Sequence, residues 1–302
     1  MGKILVICGA TASGKTGLAV ACAKKFNTEV ISADSQLVYK GLDIGTAKPT
    51  EEERQGVIHH MIDVADPKRN FSVFDYSEQA IPIIDRLLAE GKTPIVCGGT
   101  GFYINSLLFD FAYGHTGADT AIRDKYNRLL DERGKEYLFS LLQTVDPETA
   151  EKLHVNDTKR VIRALEIYEA SGKKKSDQHD ELIPKYNYVA VAIDFPREEL
   201  YKRIDMRVDD MFERGLVKEV EDLLASGVNE NCQCMQAIGY KEVLKCLNNG
   251  DNNSTMRDII KQNTRHYAKR QITFFKKLPN LIWLKPEDAT PEKIAELLNE
   301  RQ

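Results

Sequence analysis

The sequence predicts an α/β fold: a parallel sheet covered by helices, interrupted by a mainly helical insertion. Two observations predict it. Over the first hundred residues short apolar runs alternate with helical stretches, the pattern of strand–helix–strand units. From about residue 114 to 184 the apolar residues instead recur at helical spacing. The expected division is a core of residues 1–113 and 185–302 around an insertion of residues 114–184, and a chain of 302 residues is long enough for two such units.

Taken in order, residues 3–8 read as the first strand, followed by a glycine loop and a helix over 15–25. Residues 29–33 read as a second strand ending at Asp34. A helix over 77–90 precedes a third apolar run, 94–97, which ends at Gly98-Gly99-Thr100-Gly101. In parallel sheets ligands gather beyond the carboxyl ends of the strands. The glycine loop, Asp34 and the 98–101 turn are therefore expected on one edge. In the insertion, helical spacing runs through 122–142, 150–153 and 161–170, with Asn156-Asp157 as N-cap of the last helix. Residues 173–180 are polar and lysine-rich, a loop pattern. Strand character returns at 188–193 and 281–284.

Composition excludes several classes. With 42% hydrophobic and 29% charged residues the chain is neither disordered nor collagen-like. No apolar run reaches the ~18 residues of a membrane span, so no membrane partner is expected. Met1-Gly2-Lys3 leads straight into an apolar strand, so no secretory leader is expected, and Val6 breaks the myristoylation pattern. The six cysteines lie in apolar or isolated positions without paired zinc spacing, which points to free thiols in a reducing, cytoplasmic compartment. Net charge is −4, from 42 basic and 46 acidic residues, so no DNA partner is expected. A monomer is expected.

Gly9-Ala10-Thr11-Ala12-Ser13-Gly14-Lys15-Thr16 matches G-x-x-x-x-G-K-[ST] in full, between an apolar strand and a helix-forming run. This makes the core P-loop NTPase-like. Glycines let the backbone curl so that successive N–H groups point at an anion, and the helix that follows adds its positive end. Gly9, Thr11, Ala12, Ser13 and Gly14 would cradle phosphates, Lys15 would supply a full charge, and the Thr16 hydroxyl would hold Mg²⁺. The motif predicts a di- or triphosphate ligand without naming it. Asp34 lies 19 positions after Lys15 at a strand end. On position alone it either orients an incoming nucleophile or caps a turn. Thr100 either offers its hydroxyl to a ligand or only lets the chain leave the sheet.

The phosphate loop, Ile31-Ser32-Ala33-Asp34-Ser35-Gln36, the block YKGLDIGTAKP at 39–49 and the 98–101 turn together resemble the tRNA dimethylallyltransferase family. The resemblance continues through NDTKRVIRALE at 156–166, MQAIGYK at 235–241 and YAKRQ at 267–271, covering nearly the whole chain. YKGLDIGTAKP is far more specific than the phosphate loop. Two departures are visible: Ala10 stands where the family usually has Pro, and Phe274 where it commonly has Trp. The zinc-binding tail of eukaryotic relatives is not in this sequence, so it looks like a bacterial form.

The resemblance implies that the phosphate loop grips dimethylallyl diphosphate, and that the prenyl carbon is the electrophile for N6 of the adenosine beside the anticodon of tRNA. It implies that Asp34 takes the N6 proton, that Lys15 aids the leaving group, and that Thr100 sits beside both. Arg207 becomes a second clamp on the diphosphate, or a solvated helix arginine. Asp34, Ser35, Gln36, Leu37, Thr100, Arg123, Lys159, Arg160, Arg163, Gln236, Gly239, Tyr240 and Lys241 match positions that touch the tRNA anticodon stem-loop. Read without the family, Lys159, Arg160 and Arg163 start a helix as a basic face, for RNA or for solvent.

A second basic stripe, Arg257, Lys261, Arg265 and Lys269, recurs every four residues, and Arg270, Lys276 and Lys277 extend it. It is expected to face RNA or water. Tyr267, Phe274 and Phe275 either anchor that helix in the core or offer stacking faces. Three rivals remain at this point: an isopentenyltransferase acting on free adenylate, a P-loop small-molecule kinase, and an RNA-binding module that uses a nucleotide as a switch.

Overall fold

A computed structural model describes residues 2–110, 120–177 and 182–300. The chain divides into two units, Met1–Leu108 with Pro184–Gln302, and Phe109–Ile183. The sequence boundary at 113/114 lies outside the described residues, as do 178–180 of the lysine-rich loop.

The first unit begins with β1 (Lys3–Cys8), α1 (Lys15–Phe26), β2 (Val30–Ser32), α2 (Glu51–Arg54), β3 (His59–His60), α3 (Val73–Ala89), β4 (Ile95–Gly98) and α4 (Gly101–Leu108). The helix expected over 77–90 starts earlier because Ser72 and Asp75 close a capping box. The Ser72 hydroxyl accepts the Asp75 N–H and the Asp75 carboxylate accepts the Ser72 N–H. β3 is only two residues long, too short to leave a periodic signal.

The insertion holds α5 (Thr120–Val145), α6 (Pro147–Glu151) and α7 (Thr158–Ser171). Gly134, at φ 81°, breaks α5 where the sequence pattern suggests one continuous helix. Leu138, Leu142, Val161, Ile162 and Leu165 form this unit's own core. Asp157 stands at the N-cap of α7, as expected, but makes no side-chain cap bond.

The first unit resumes with β5 (Asn187–Ile193), α8 (Arg197–Glu213), α9 (Leu216–Ala225), α10 (Tyr240–Asn249), α11 (Asn253–Phe275), β6 (Ile282–Leu284) and α12 (Pro291–Glu300). The strands pair in parallel in the order β3-β2-β4-β1-β5-β6. β1 is buried on both faces: Leu5 and Ile7 pack with α1 and α12, and Ile4 and Val6 on the other face are equally inaccessible. Among the described residues no helix is long and apolar enough to cross a membrane.

The adjacent strands β2, β4 and β1 bring Asp34, the 98–101 turn and the glycine loop to one edge. Close approach there requires glycine. A Cβ on Gly98 would lie 2.1 Å from the Ala33 carbonyl oxygen. We expect Gly98→Ala to cost about 3 kcal/mol in urea denaturation. Gly17→Ala, whose Cβ would meet nothing within 4 Å, should be neutral or up to about 1 kcal/mol stabilising. Equal stability of the two variants would refute this account of the edge.

Candidate active site

The glycine loop curls as the motif requires. Gly9, Ala12 and Gly14 adopt positive φ (124°, 62° and 81°), and Gly14 is the N-cap of α1. The Ser13 hydroxyl is buried without a hydrogen-bond partner in the protein. The Thr11 N–H is not left for an anion: it donates to Gln271 Oε1 at 2.8 Å. The Lys15 ammonium donates to the Ala10 carbonyl at the loop's own start. Arg207, on α8, reaches the same place, donating to Thr11 Oγ1 (3.3 Å) and to the Thr46 carbonyl (3.2 Å).

A cavity of about 360 Å³ opens on this loop, within the range of small-ligand sites. Thr11, Lys15, Thr16 and Arg207 lie on its wall together with Asp34, Ser35, Gln36 and Leu37. Loss of hydration lowers the pKa of Lys15, and Arg207 lowers it further, against opposing contributions from Cys97 and Asp34. Burial likewise lowers Arg207, opposed by Asp34. The site thus holds two poorly hydrated cations with one carboxylate facing them.

Asp34 Oδ1 accepts the Gln36 N–H at 2.9 Å, so it closes a turn, and the residue also lines the cavity. Thr100 is not on the cavity wall. Its Oγ1 accepts the Ser35 N–H (2.9 Å) and donates to Ser35 Oγ (3.3 Å), bracing the turn that carries Asp34. Gln236 and Lys241 line the cavity. Gly239 N-caps α10, and its N–H donates to Glu242.

Tyr240 is corrected to a core residue. It is fully buried, donates its hydroxyl to Glu219 Oε1 at 2.6 Å, and fills the space above Gly45. Glu219 also accepts the N–H groups of Asp43, Ile44 and Gly45 (2.9, 2.7 and 3.1 Å). The YKGLDIGTAKP block is therefore a strap. Glu219 holds its middle, and Lys48 ties its end to Asp43, Asp63 and the Tyr39 carbonyl.

The basic stripe of α11 is also corrected in large part. Arg265 makes a fork with Asp205 (2.7–3.0 Å), Lys261 pairs with Asp209 (2.7 Å), and Arg257 approaches Asp209 at 3.8 Å. Two aspartates one turn apart on α8 absorb three of the four charges, because the helices pack side by side. Lys269, Arg270, Lys276 and Lys277 remain exposed, and Arg270 lines the cavity beside Tyr267. Phe275 is core, while Phe274 packs edge-on against Phe102.

In the insertion, Lys159 and Arg160 are exposed. Arg123 and Arg163 instead converge on the buried Glu166, at 2.9 and 3.0 Å. The residues that sequence reading missed are Glu219 and Gln271, while Tyr267, expected as a core anchor or a stacking face, lines the cavity. YAKRQ hinted at Gln271, but its role depends on loops far away in the chain. All six cysteines are free thiols, and five are buried; burial pushes Cys97, on the cavity wall, up to about 11.

The lowered Lys15 pKa has a sign. The unfolded chain holds that proton up to the ordinary value of 10.5, so the unliganded protein gains stability as pH rises through the lowered value toward it. An anion in the loop reverses the shift. Binding of inorganic diphosphate at a pH between the lowered value and 10.5 should therefore bring a proton onto Lys15, seen as a buffer-dependent heat in calorimetry. Lys15→Met should abolish the uptake, and an uptake unchanged in that variant would refute the assignment.

Comparisons with known proteins supply the family. A family model described as IPP transferase matches residues 37–278. The chain is 47% identical over 298 residues to a tRNA dimethylallyltransferase of Acetivibrio thermocellus, covering 97% of this chain and 95% of that protein. It is 43% identical over 300 residues to one of Oceanobacillus iheyensis, covering 98% and 96%. Among solved structures it resembles the tRNA isopentenylpyrophosphate transferase of Bacillus halodurans (39% identity, TM-score 0.74, covering 100% and 98%). It also resembles a eukaryotic dimethylallyltransferase acting on tRNA (30% identity, TM-score 0.83, covering 98% and 78%). The match over most of the chain, at this level of identity, places the protein in the IPP transferase family.

Proposed function

We propose that this protein transfers the dimethylallyl group of dimethylallyl diphosphate to N6 of the adenosine immediately 3′ of the anticodon in tRNA, releasing diphosphate. The observation that carries the reading is a cavity whose wall holds Lys15, Arg207 and Asp34 together. A kinase could use the same anion site and a carboxylate base, and membership of the IPP transferase family separates the two readings.

In this reaction the N6–C1 bond forms as the allylic C1–O bond breaks, and the electron pair leaves with the diphosphate. Loop N–H groups of Ala12 to Thr16, the Lys15 ammonium and the Arg207 guanidinium would meet that growing charge, and the buried Ser13 hydroxyl is a ready donor to it. Adenine N6 is weakly nucleophilic because its lone pair is delocalised. The Asp34 carboxylate would accept the N6 proton, and bringing both reactants to one cavity supplies much of the remaining acceleration. Thr100 acts through Ser35, keeping the Asp34 turn in place.

Mg²⁺ fits this site as a companion of the diphosphate. The Thr16 side chain lines the cavity, and among the described residues no three His, Cys, Asp or Glu side chains gather to hold a metal alone. Bound through Thr16 and phosphate oxygens, the ion would supply further neutralisation of the leaving group. With three stripe cations paired, the polynucleotide substrate rests on the relatives, on the exposed Lys269, Arg270, Lys276 and Lys277, and on Lys159 and Arg160 of the insertion.

The test is mass spectrometry of tRNA, of an anticodon stem-loop and of AMP after incubation with dimethylallyl diphosphate and Mg²⁺. A prenyl mass on the adenosine 3′ of the anticodon is expected, with AMP unmodified. Asp34→Asn should lower the rate about 10²–10⁴-fold. Modification of AMP alone would move the substrate to the free nucleotide, and phosphate release from ATP without prenylation would overturn the reading.

A further inference from the structure

We infer that Gln271 is a positioning residue that sets the separation between the leaving-group cradle and the turn carrying Asp34. Its side chain is 5% exposed and lies between the two loops. Oε1 accepts the Thr11 N–H at 2.8 Å, and Nε2 donates to the Gly99 carbonyl at 2.9 Å. Each contact continues into the site. Thr11 presents its hydroxyl to Arg207. Beyond Gly99, Thr100 donates its N–H to the Ala33 carbonyl (3.0 Å) and accepts the Ser35 N–H (2.9 Å). One amide thus joins the clamp on the diphosphate to the brace of the carboxylate.

The chemistry of the joint is specific. Thr11 needs an acceptor and Gly99 needs a donor, and both loop groups are backbone atoms that cannot change character. A carboxylate would leave Gly99 facing a second oxygen, and a hydrocarbon would strand both groups, at about 1–3 kcal/mol each. A Cβ on Gly99 would lie 2.2 Å from Nε2, so any side chain there must displace the amide. Because Gln271 is not itself a ligand of either substrate in this scheme, its loss should leave each half-site able to bind while spoiling their alignment. A misplacement near 1 Å is enough to cost about 10²-fold in rate.

The inference rests on the transferase reading, and the experiment separates the two. The unsubstituted chain, Gln271→Met, Gln271→Glu and Gln262→Met are assayed with dimethylallyl diphosphate and an anticodon stem-loop. Affinities for inorganic diphosphate and for the stem-loop are measured in parallel. For Gln271→Met and Gln271→Glu we expect kcat to fall about 10–100-fold, with the stem-loop KM and affinity, and in Gln271→Met the KM for dimethylallyl diphosphate, within about threefold of the parent. Gln271→Met should also keep its diphosphate affinity, whereas Gln271→Glu, which adds charge, should weaken it. Gln262→Met, on the exposed side of the same helix, should match the parent. An undiminished kcat in Gln271→Met overturns the inference, as does a loss of kcat matched by loss of both affinities. Should that variant fail to fold, Gly99→Ala, which displaces the amide from its other side, is judged by the same outcomes. No transfer by the unsubstituted chain removes the transferase reading along with the inference. Transfer by it with a full-speed Gln271→Met removes the inference alone.

Discussion

Two cations stripped of much of their water, beside a loop of inward-turned N–H groups, form a concentration of positive charge that this protein does not neutralise by itself. Asp34 faces Lys15 and Arg207, but one carboxylate does not balance both, and its Oδ1 is already engaged by the Gln36 N–H. The lowered pKa values of the two basic groups record above all their loss of hydration on burial. In the proposed reaction the diphosphate would relieve the charge imbalance. The rest of the core holds this arrangement in position: the parallel strands that deliver three loops to one edge, the glycines that let those loops touch, and α8, which carries Arg207.

The supporting structure reaches the site through long-range contacts. The strap of residues 39–49 is held by Glu219 at its middle and by Lys48 at its end, and its Thr46 carbonyl orients Arg207. Helix α11 is fastened to α8 by Arg265–Asp205 and Lys261–Asp209, and Ala268 packs with Ala10, Leu200 and Ile204 against the phosphate loop. Ala10 therefore serves as a small packing residue at a place where the resemblance anticipates proline. The ion pairs between the helices are half-exposed and individually weak. They join the two helices that carry Arg207 and Gln271, both of which contact Thr11.

Reading the chain alone went furthest where the signal is local. Strand periods, the glycine loop and the turn at 98–101 are written in neighbouring residues, and each settled into the expected element within a few positions. Departures occurred where local pattern ran out. β3 is too short to show a period, Gly134 interrupts a helix whose apolar spacing continues across it, and Ser72 starts a helix ahead of its first clear apolar repeat.

Function was legible through the family resemblance carried by the blocks at 31–36, 39–49, 156–166, 235–241 and 267–271, since the phosphate loop alone names no ligand. Charge was less legible. Arg257, Lys261 and Arg265 look like an outward basic stripe until Asp205 and Asp209, some fifty residues earlier, fold against them, and Arg123 and Arg163 look free until Glu166 is buried between them. Tyr240 reads as part of a ligand-touching block until its hydroxyl is found inside the core. By itself, then, the sequence determined the sheet and the glycine loop, since each follows from the conformations open to adjacent residues, while a role for Asp34 in the reaction came only with the family resemblance. Which cations stay available, and which side chain bridges the two halves of the site, only the tertiary structure decided, because a charge or an amide takes its role from the partner that packing brings to it.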